Sequence, residues 1–402
     1  MPEATQTMGT VLNTRLRPSL WALRTRGDGS ALSAVLRGML SLPNRPGSNA
    51  DHLEATMRWL CAAQDSTPDG GVSSLYDVRS GEWGPSYPET TGYIIPTFFN
   101  YAACSSDDSF RERAIRMADW LLTLQLESGA FPIGPLWPGW ERKPIVFDTG
   151  QIIFGLVRAF EETRQAHYLE AARRAGDWLR AIQETDGSWR KFTSLDYVHT
   201  YNVRTAWSLL RIYEVTQDER YLSAAIGNLD WSLTQQAPDG WFANNGFTPE
   251  EDPLTHTIAY TIEGLLESGF LISAEKYIEA ARLAADALLE KQRQDGFLRA
   301  RYGSGWRSQL NWSCLTGTAQ MALVWLRLYE RLGDDKYAQA AATAHGYIKG
   351  TQDRSSRWPG VAGGVSGSYP IYGDYEPFRH LNWAAKFFAD SLLQDERLRS
   401  KN

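Results

Sequence analysis

The stretch that decides the fold runs from Ala166 to Trp189, AHYLEAARRAGDWLRAIQETDGSW. Tyr168, Leu169, Ala172, Ala175, Trp178, Leu179 and Ile182 recur at steps of three and four, with Arg and Glu between them. That spacing predicts an amphipathic helix with one wet face. The helix is expected to stop at Asp186-Gly187, since glycine takes a left-handed conformation easily. The unit returns as ERYLSAAIGNLDWSLTQQAPDGWF at Glu219 to Phe242, and as EKYIEAARLAADALLEKQRQDGFL at Glu275 to Leu298. Looser copies start at Asp108 and Asp335, and HLEATMRWLCAAQ at His52 to Gln64 reads as the first. Tyr168, Tyr221, Tyr277 and Tyr337 anchor successive copies 53, 56 and 60 residues apart, the mark of a repeat architecture.

A second, less charged helix follows in each period. These are TTGYIIPTFFNYAA from Thr90, DTGQIIFGLVRAFEET from Asp148, HTYNVRTAWSLLRIYEVT from His199, HTIAYTIEGLLESG from His256, LTGTAQMALVWLRLYERLG from Leu315 and LNWAAKFFADSLL from Leu381. Helices apolar on most faces belong inside. Several start with Thr beside Gly or a polar residue, which reads as an N-cap. Six wet helices alternating with six dry ones predict an all-α (α/α)6 toroid, with the dry helices as the inner ring. Residues 1–45 fall outside the repeat as an N-terminal extension, and residues 46–402 form one toroid domain. The long connections carry DGSW, DGWF and DGFL, so they share one face with the starts of the inner helices. Function concentrates on loops held by a rigid scaffold. Helix N-termini at that face also favour acidic groups.

Composition bounds the function. The 402 residues carry 41 basic and 47 acidic side chains, a net of −6, so bulk charge does not suggest a nucleic-acid groove. No apolar run is long enough to span a membrane. No secretory signal is read in residues 1–43, which points to the cytoplasm. Cys61, Cys104 and Cys314 are far apart and odd in number, which suits a reducing compartment. The chain also holds 16 Trp, 18 Tyr and 15 Phe. Such rings serve either as helix packing or as flat surfaces for a sugar.

Residues at the inner-helix starts converge on one funnel. Asp148 is either an N-cap or a carboxylate aimed at a sugar, and Glu89 is its partner by position in the repeat. Glycoside hydrolysis uses such a pair, one as acid and one as base or nucleophile. The run His199-Thr200-Tyr201-Asn202-Val203-Arg204 is the richest in polar groups. Helical spacing puts His199 near Asn202 and Tyr201 near Arg204. His and Tyr can move a proton, while Asn and Arg can hold a carboxylate. That set would serve β-elimination or C5 epimerisation of a uronate, or the groups would simply bond one another. His256 matches His199 in the next period. Without an HExxH or other close ligand pair, no metal or other cofactor is expected. Tyr87, Trp137, Trp140, Asn245, Trp306, Trp312, Tyr375 and Lys386 complete the expected substrate-binding set.

The segments FDTGQ, HTYNVR, PLTHTIAYT, CLTGTAQMA and NWAAKFFAD, in this order, resemble a bacterial family found with exopolysaccharide biosynthesis genes, the Vibrio-polysaccharide-type biosynthesis proteins. The resemblance runs from about His52 to Leu392. It implies a six-hairpin glycosidase-like toroid acting around an extracellular polysaccharide, and carries no catalytic assignment. The QETDGSW form at Gln183 also looks like the repeat of terpene cyclases, but their DxDD cluster is absent. The toroid is similar to unsaturated glucuronyl hydrolases, which use inner-helix aspartates, and to N-acylglucosamine epimerases, which use histidines. Fold analogy does not choose among them. The expectation is an enzyme cleaving a glycosidic bond in a polysaccharide or oligosaccharide. The alternatives are a uronate lyase or C5-epimerase working through His199 and Tyr201, and a non-catalytic glycan-binding protein. Oligomeric state is not legible.

Overall fold

The computed structural model describes Asn44 and residues 47–400, so the expected N-terminal extension lies almost wholly outside the described residues. Among the described residues, twelve α-helices alternate between two rings. The outer helices are α1 (Asn49–Asp65), α3 (Asp108–Leu122), α5 (Ala166–Ala181), α7 (Glu219–Leu233), α9 (Glu275–Lys291) and α11 (Asp335–Thr351). The inner helices are α2 (Pro88–Ser105), α4 (Val146–Thr163), α6 (Val203–Thr216), α8 (Thr255–Leu271), α10 (Leu315–Leu332) and α12 (Asn382–Arg399). Inner helices pack on their inner neighbours, and α12 closes the ring on α1 and α2. The (α/α)6 toroid expected from the repeat is the observed architecture.

The repeat encodes two staples. At the end of each outer helix a glutamine amide bridges its own loop to the next unit. Gln183 Nε2 donates to Gly187 O and Ala224 O, both at 2.9 Å. Gln64, Gln125 and Gln236 repeat the bridge to Arg113 O, Ala171 O and Ala280 O. Gln352 closes the circle onto Thr56 Oγ1 (2.8 Å). Tyrosines supply the second staple. Tyr168, Tyr221, Tyr277 and Tyr337 donate to Asp119, Asp177, Asp230 and Asp286 on the preceding outer helix, at 2.5–3.0 Å.

Two local expectations need correction. The outer helix α5 ends at Ala181, and Asp186-Gly187 forms a separate turn beyond it, with Asp186 Oδ1 accepting from Ser188 N. Gly187 sits there at φ +87°, where a Cβ would lie 2.1 Å from Gly227 O, so only glycine fits. The inner-helix threonines are not N-caps either. The capping positions are Tyr87, Ile145, Asn202, Leu254, Cys314 and Leu381, and no side chain caps them. Instead Thr91 and Thr149 accept from Val72 N and Phe131 N, fastening the long loops to the inner ring. The neighbouring glycines permit close helix approach: a Cβ on Gly92 would lie 2.6 Å from Ile152 Cα.

No strands are expected from the sequence pattern, yet among the described residues five short ones stiffen the long-loop face. These are β1 (Leu75–Asp77), β2 (Glu82–Trp83), β3 (Ser313–Cys314), β4 (Ser368–Tyr369) and β5 (Arg379–Leu381). They pair antiparallel in the orders β2-β1-β5 and β3-β4, tying the first long loop to the last. No described helix is long and apolar enough to cross a membrane.

Candidate active site

Glu89 and Asp148 occupy the first turns of the adjacent inner helices α2 and α4. The threonine fastenings two residues after Glu89 and one after Asp148 tie the long loops to the same two helix starts. The helix dipoles favour negative charge there. Burial opposes it: Glu89 is 7% exposed and Asp148 3%. Among the described residues neither carboxylate has a cation within ion-pair distance. Asp148 Oδ2 accepts only the backbone N–H of Gly134, at 3.1 Å.

The electrostatics follow from that isolation. Desolvation pushes the Glu89 carboxyl up to about 7, against the opposing effects of a Tyr87 hydrogen bond and the Arg204 charge. Asp148 is raised well above the carboxylate range, first by desolvation and then by the neighbouring charge of Glu89. Two carboxylates in one apolar chamber resist simultaneous ionisation. Desolvation therefore favours the protonated form of each carboxyl, and the charge of Glu89 favours it further at Asp148.

Aromatic rings wall the chamber. Phe147 lies 5.2 Å from Tyr201 and 5.0 Å from Tyr260. Phe247 links Tyr201 to Tyr375. The Tyr375 hydroxyl accepts from Trp383 Nε1 at 3.0 Å, and Trp383 meets Tyr87 edge to face. The buried amides Asn202 Nδ2 and Asn245 Nδ2 have no partner, whereas Asn245 Oδ1 accepts from Thr261. They are unspent donors at the same face.

The expected residues divide into three groups. Glu89, Asp148, Tyr87 and Tyr201 come together; burial and both carboxylates raise the Tyr201 phenol. Asn202 and His256 stand at inner-helix starts, with Asn245 and Tyr375 on the long loops of the same face; His256 is fastened through Nδ1 to Gln320 Oε1 at 2.6 Å. Trp137 and Trp140 ride an exposed loop at the rim. This is the loop whose Gly134 holds Asp148.

Others stand apart. His199 stacks on Tyr201 and has a backbone carbonyl against each nitrogen, Gly246 O at 3.0 Å and Ser194 O at 2.9 Å. The neutral ring favoured by burial donates to one of the two, and the chain itself occupies the space at both nitrogens. Arg204 lies deeper, with Nε on Gln151 (2.7 Å) and Nη1 on Glu263, so its charge is spent inside the protein. Lys386 is paired with Asp390 at 2.7 Å, also in that deeper layer. Trp306 is buried, its indole donating to Asp239 O. Trp312 packs in the small cluster of Leu254, Ala300 and Cys314. Phe147, Phe247 and Trp383 were absent from the expected binding set. Phe147 could have been found as the ring immediately preceding Asp148.

No protein-family model matches the chain, and no curated protein does. Solved structures match over most of its length. An unsaturated glucuronyl hydrolase specific for heparin superposes with a TM-score of 0.70 at 16% identity, covering 88% of this chain and 98% of that one. Cellobiose 2-epimerase from Bacillus thermoamylovorans gives 0.65 at 14%, covering 92% and 100%. The GH76 α-mannanase of Bacteroides thetaiotaomicron gives 0.63 at 15%, covering 88% and 97%. At these identities the likeness establishes the toroid fold and leaves the reaction to the residues.

Proposed function

We propose that this protein is a carbohydrate-active enzyme that hydrolyses a glycosidic bond at the Glu89–Asp148 pair. The observation that carries this reading is the pair itself: two first-turn carboxylates, desolvated, without a counter-ion, walled by rings. In this reading Asp148 carries the proton and gives it to the glycosidic oxygen as the bond to the anomeric carbon breaks. Glu89, ionised, assists water or attacks the anomeric carbon, and one water is added in total. Tyr87 holds Glu89, while Asn202 and Asn245 offer donors to sugar oxygens. A role in exopolysaccharide metabolism, implied by the resemblance of FDTGQ and its companion segments, belongs to the same proposal. The backbone carbonyls of Gly246 and Ser194, which occupy the space at both His199 nitrogens, weigh against elimination or epimerisation through that ring. The structural relatives include two glycoside hydrolases, which agrees with the reading.

The test is mass spectrometry of products from a panel of acidic and neutral oligosaccharides incubated in ¹⁸O-labelled water. Fragments carrying one labelled oxygen, absent with Asp148→Asn, are expected. Unsaturated fragments without label, or full activity in Asp148→Asn, would overturn the proposal.

A further inference from the structure

Beneath the carboxylate chamber the toroid is hollow. A cavity of about 1060 Å³ opens between the last turns of the inner helices, at the end opposite the long loops. Asn100, Arg211, Arg327 and Arg397 stand around its wider part, and neither Glu89 nor Asp148 lines it. Its deep end is made by Tyr93, Arg204, Glu263 and Lys386. Ligand sites span roughly 300–1,000 Å³, so this one is at the large end of the range.

The lining restricts what it can hold. All six of its cationic side chains are matched to carboxylates. Arg204 pairs with Glu263, Lys386 with Asp390 (2.7 Å) and Arg158 with Glu162 (2.9 Å). Arg211 pairs with Glu161 (2.7 Å), Arg327 with Glu267 (2.6 Å) and Arg397 with Glu330 (2.6 Å). A charged ligand of either sign finds no unmatched cation in this lining, and at the deep end the Arg204–Glu263 and Lys386–Asp390 pairs could meet it only at the cost of weakening a largely buried pair. A neutral polyol has no such conflict. Paired guanidinium groups keep unspent N–H donors, and paired carboxylates keep unspent lone pairs. Hydroxyl groups can meet both at once. Aromatic surface completes the set: half-buried Trp207 packs 4.5 Å from Phe154, with Tyr93 and Tyr101 also in the lining. Such rings pack against the C–H face of a sugar.

We propose that this cavity is a second binding site, distinct from the Glu89–Asp148 chamber, for a short neutral oligosaccharide. The proposal does not depend on the hydrolysis reading, because its readout is occupancy and not turnover.

Cys104 supplies the readout. It is exposed and lines the cavity, whereas Cys314 is buried, Cys61 is half-buried, and desolvation pushes both of those thiols up to about 11. The full chain is treated with a maleimide, and peptide mass spectrometry follows labelling at Cys104. Cellotriose and maltotriose are titrated in, with trigalacturonate as the charged comparator. A saturable slowing of at least about threefold, corresponding to at least two-thirds occupancy, is expected from one or both neutral trisaccharides and not from trigalacturonate. The slowing is expected to persist in Asp148→Asn. It is expected to disappear in Ala103→Trp, which places a bulky ring at an exposed position in the cavity wall. Four results would overturn the proposal: no slowing by either neutral sugar at about 50 mM, equal slowing by trigalacturonate, loss of slowing in Asp148→Asn, or a Cys104 that does not react in the free protein.

Discussion

Tyrosine beside carboxylate occurs in both rings of this toroid, with opposite consequences. In the outer ring, Tyr277 and Lys276 both donate to Asp230, and the carboxyl is held below its usual range despite partial burial. Tyr337 and Arg282 likewise share Asp286. In the inner ring Glu89 has Tyr87 but no cation in contact, Asp148 has one backbone N–H, and both are raised. The residue types match. What differs is access to water and the presence of a counter-charge. The outer arrangement recurs in successive units and holds helices together. The inner one occurs once and leaves two carboxyls in a state that costs stability, which is what a poised acid and base require.

The largest test of this contrast acts on the inner pair. Asp148→Asn and Glu89→Gln are each expected to lower kcat/KM by about 10²–10⁴-fold, the range for loss of a general acid or base. Both should also stabilise the fold at neutral pH, the reverse of what an outer-ring carboxylate would do. The sign follows from linkage. Glu89 has its pKa raised from 4.5 to about 7, so the folded state holds the proton more tightly than the unfolded state. Its ionised form therefore removes stability as pH rises from about 4.5 to 7, on the order of 3 kcal/mol. Thermal melts of Glu89→Gln at pH 4.5 and pH 8 should show a clear gain only at the higher pH. A lower Tm at pH 8 would make Glu89 a structural residue and erase the contrast. Between pH 6 and 8, a titration of kcat/KM near 7 should vanish in Glu89→Gln.

The two rings were also unequally legible in the sequence. The outer helices are short-range objects: Tyr168, Ala172, Ala175 and Leu179 show their buried face by spacing alone, and repetition confirmed each copy. Glu89 and Asp148 could be paired because the same period placed them. The partners of His199 and Arg204 could not be read. Gly246, Gln151 and Glu263 arrive from other units through packing, and Ser194 comes from an irregular turn five residues before His199, neither of which local pattern records. The threonines misled for a related reason. A Thr at a helix start is a capping signal, but the neighbouring long loop offered Thr91 and Thr149 an N–H from elsewhere in the chain. The strands were missed because they are two or three residues long, too short for an alternating pattern.

The outer staples provide a smaller effect of opposite kind. Gln183→Ala removes two hydrogen bonds, while Gly187 O keeps the Asn228 Nδ2 donor at 3.0 Å. A loss of about 1–3 kcal/mol is expected in urea unfolding, with kcat/KM of the surviving native protein unchanged. An activity loss exceeding the unfolded fraction would mean that this staple also sets the inner chamber.

The smallest expected effect lies at the rim. Trp137 is 42% exposed and Trp140 62%, on the loop whose Gly134 N–H holds Asp148. Exposed rings give the fold little packing to lose, so Trp140→Ala should leave Tm unchanged. If the rim carries sugar units beyond the scissile bond, an aromatic contact of about 0.5–1.5 kcal/mol predicts a KM rise of roughly two- to tenfold on a longer oligosaccharide. The shortest cleavable substrate should not feel the change, and kcat should hold for both. A fall in kcat that is equal for short and long substrates would instead show the loop acting through Gly134 on Asp148. The rim would then belong with the inner chamber as a positioning element, and the sugar-stacking role would fall.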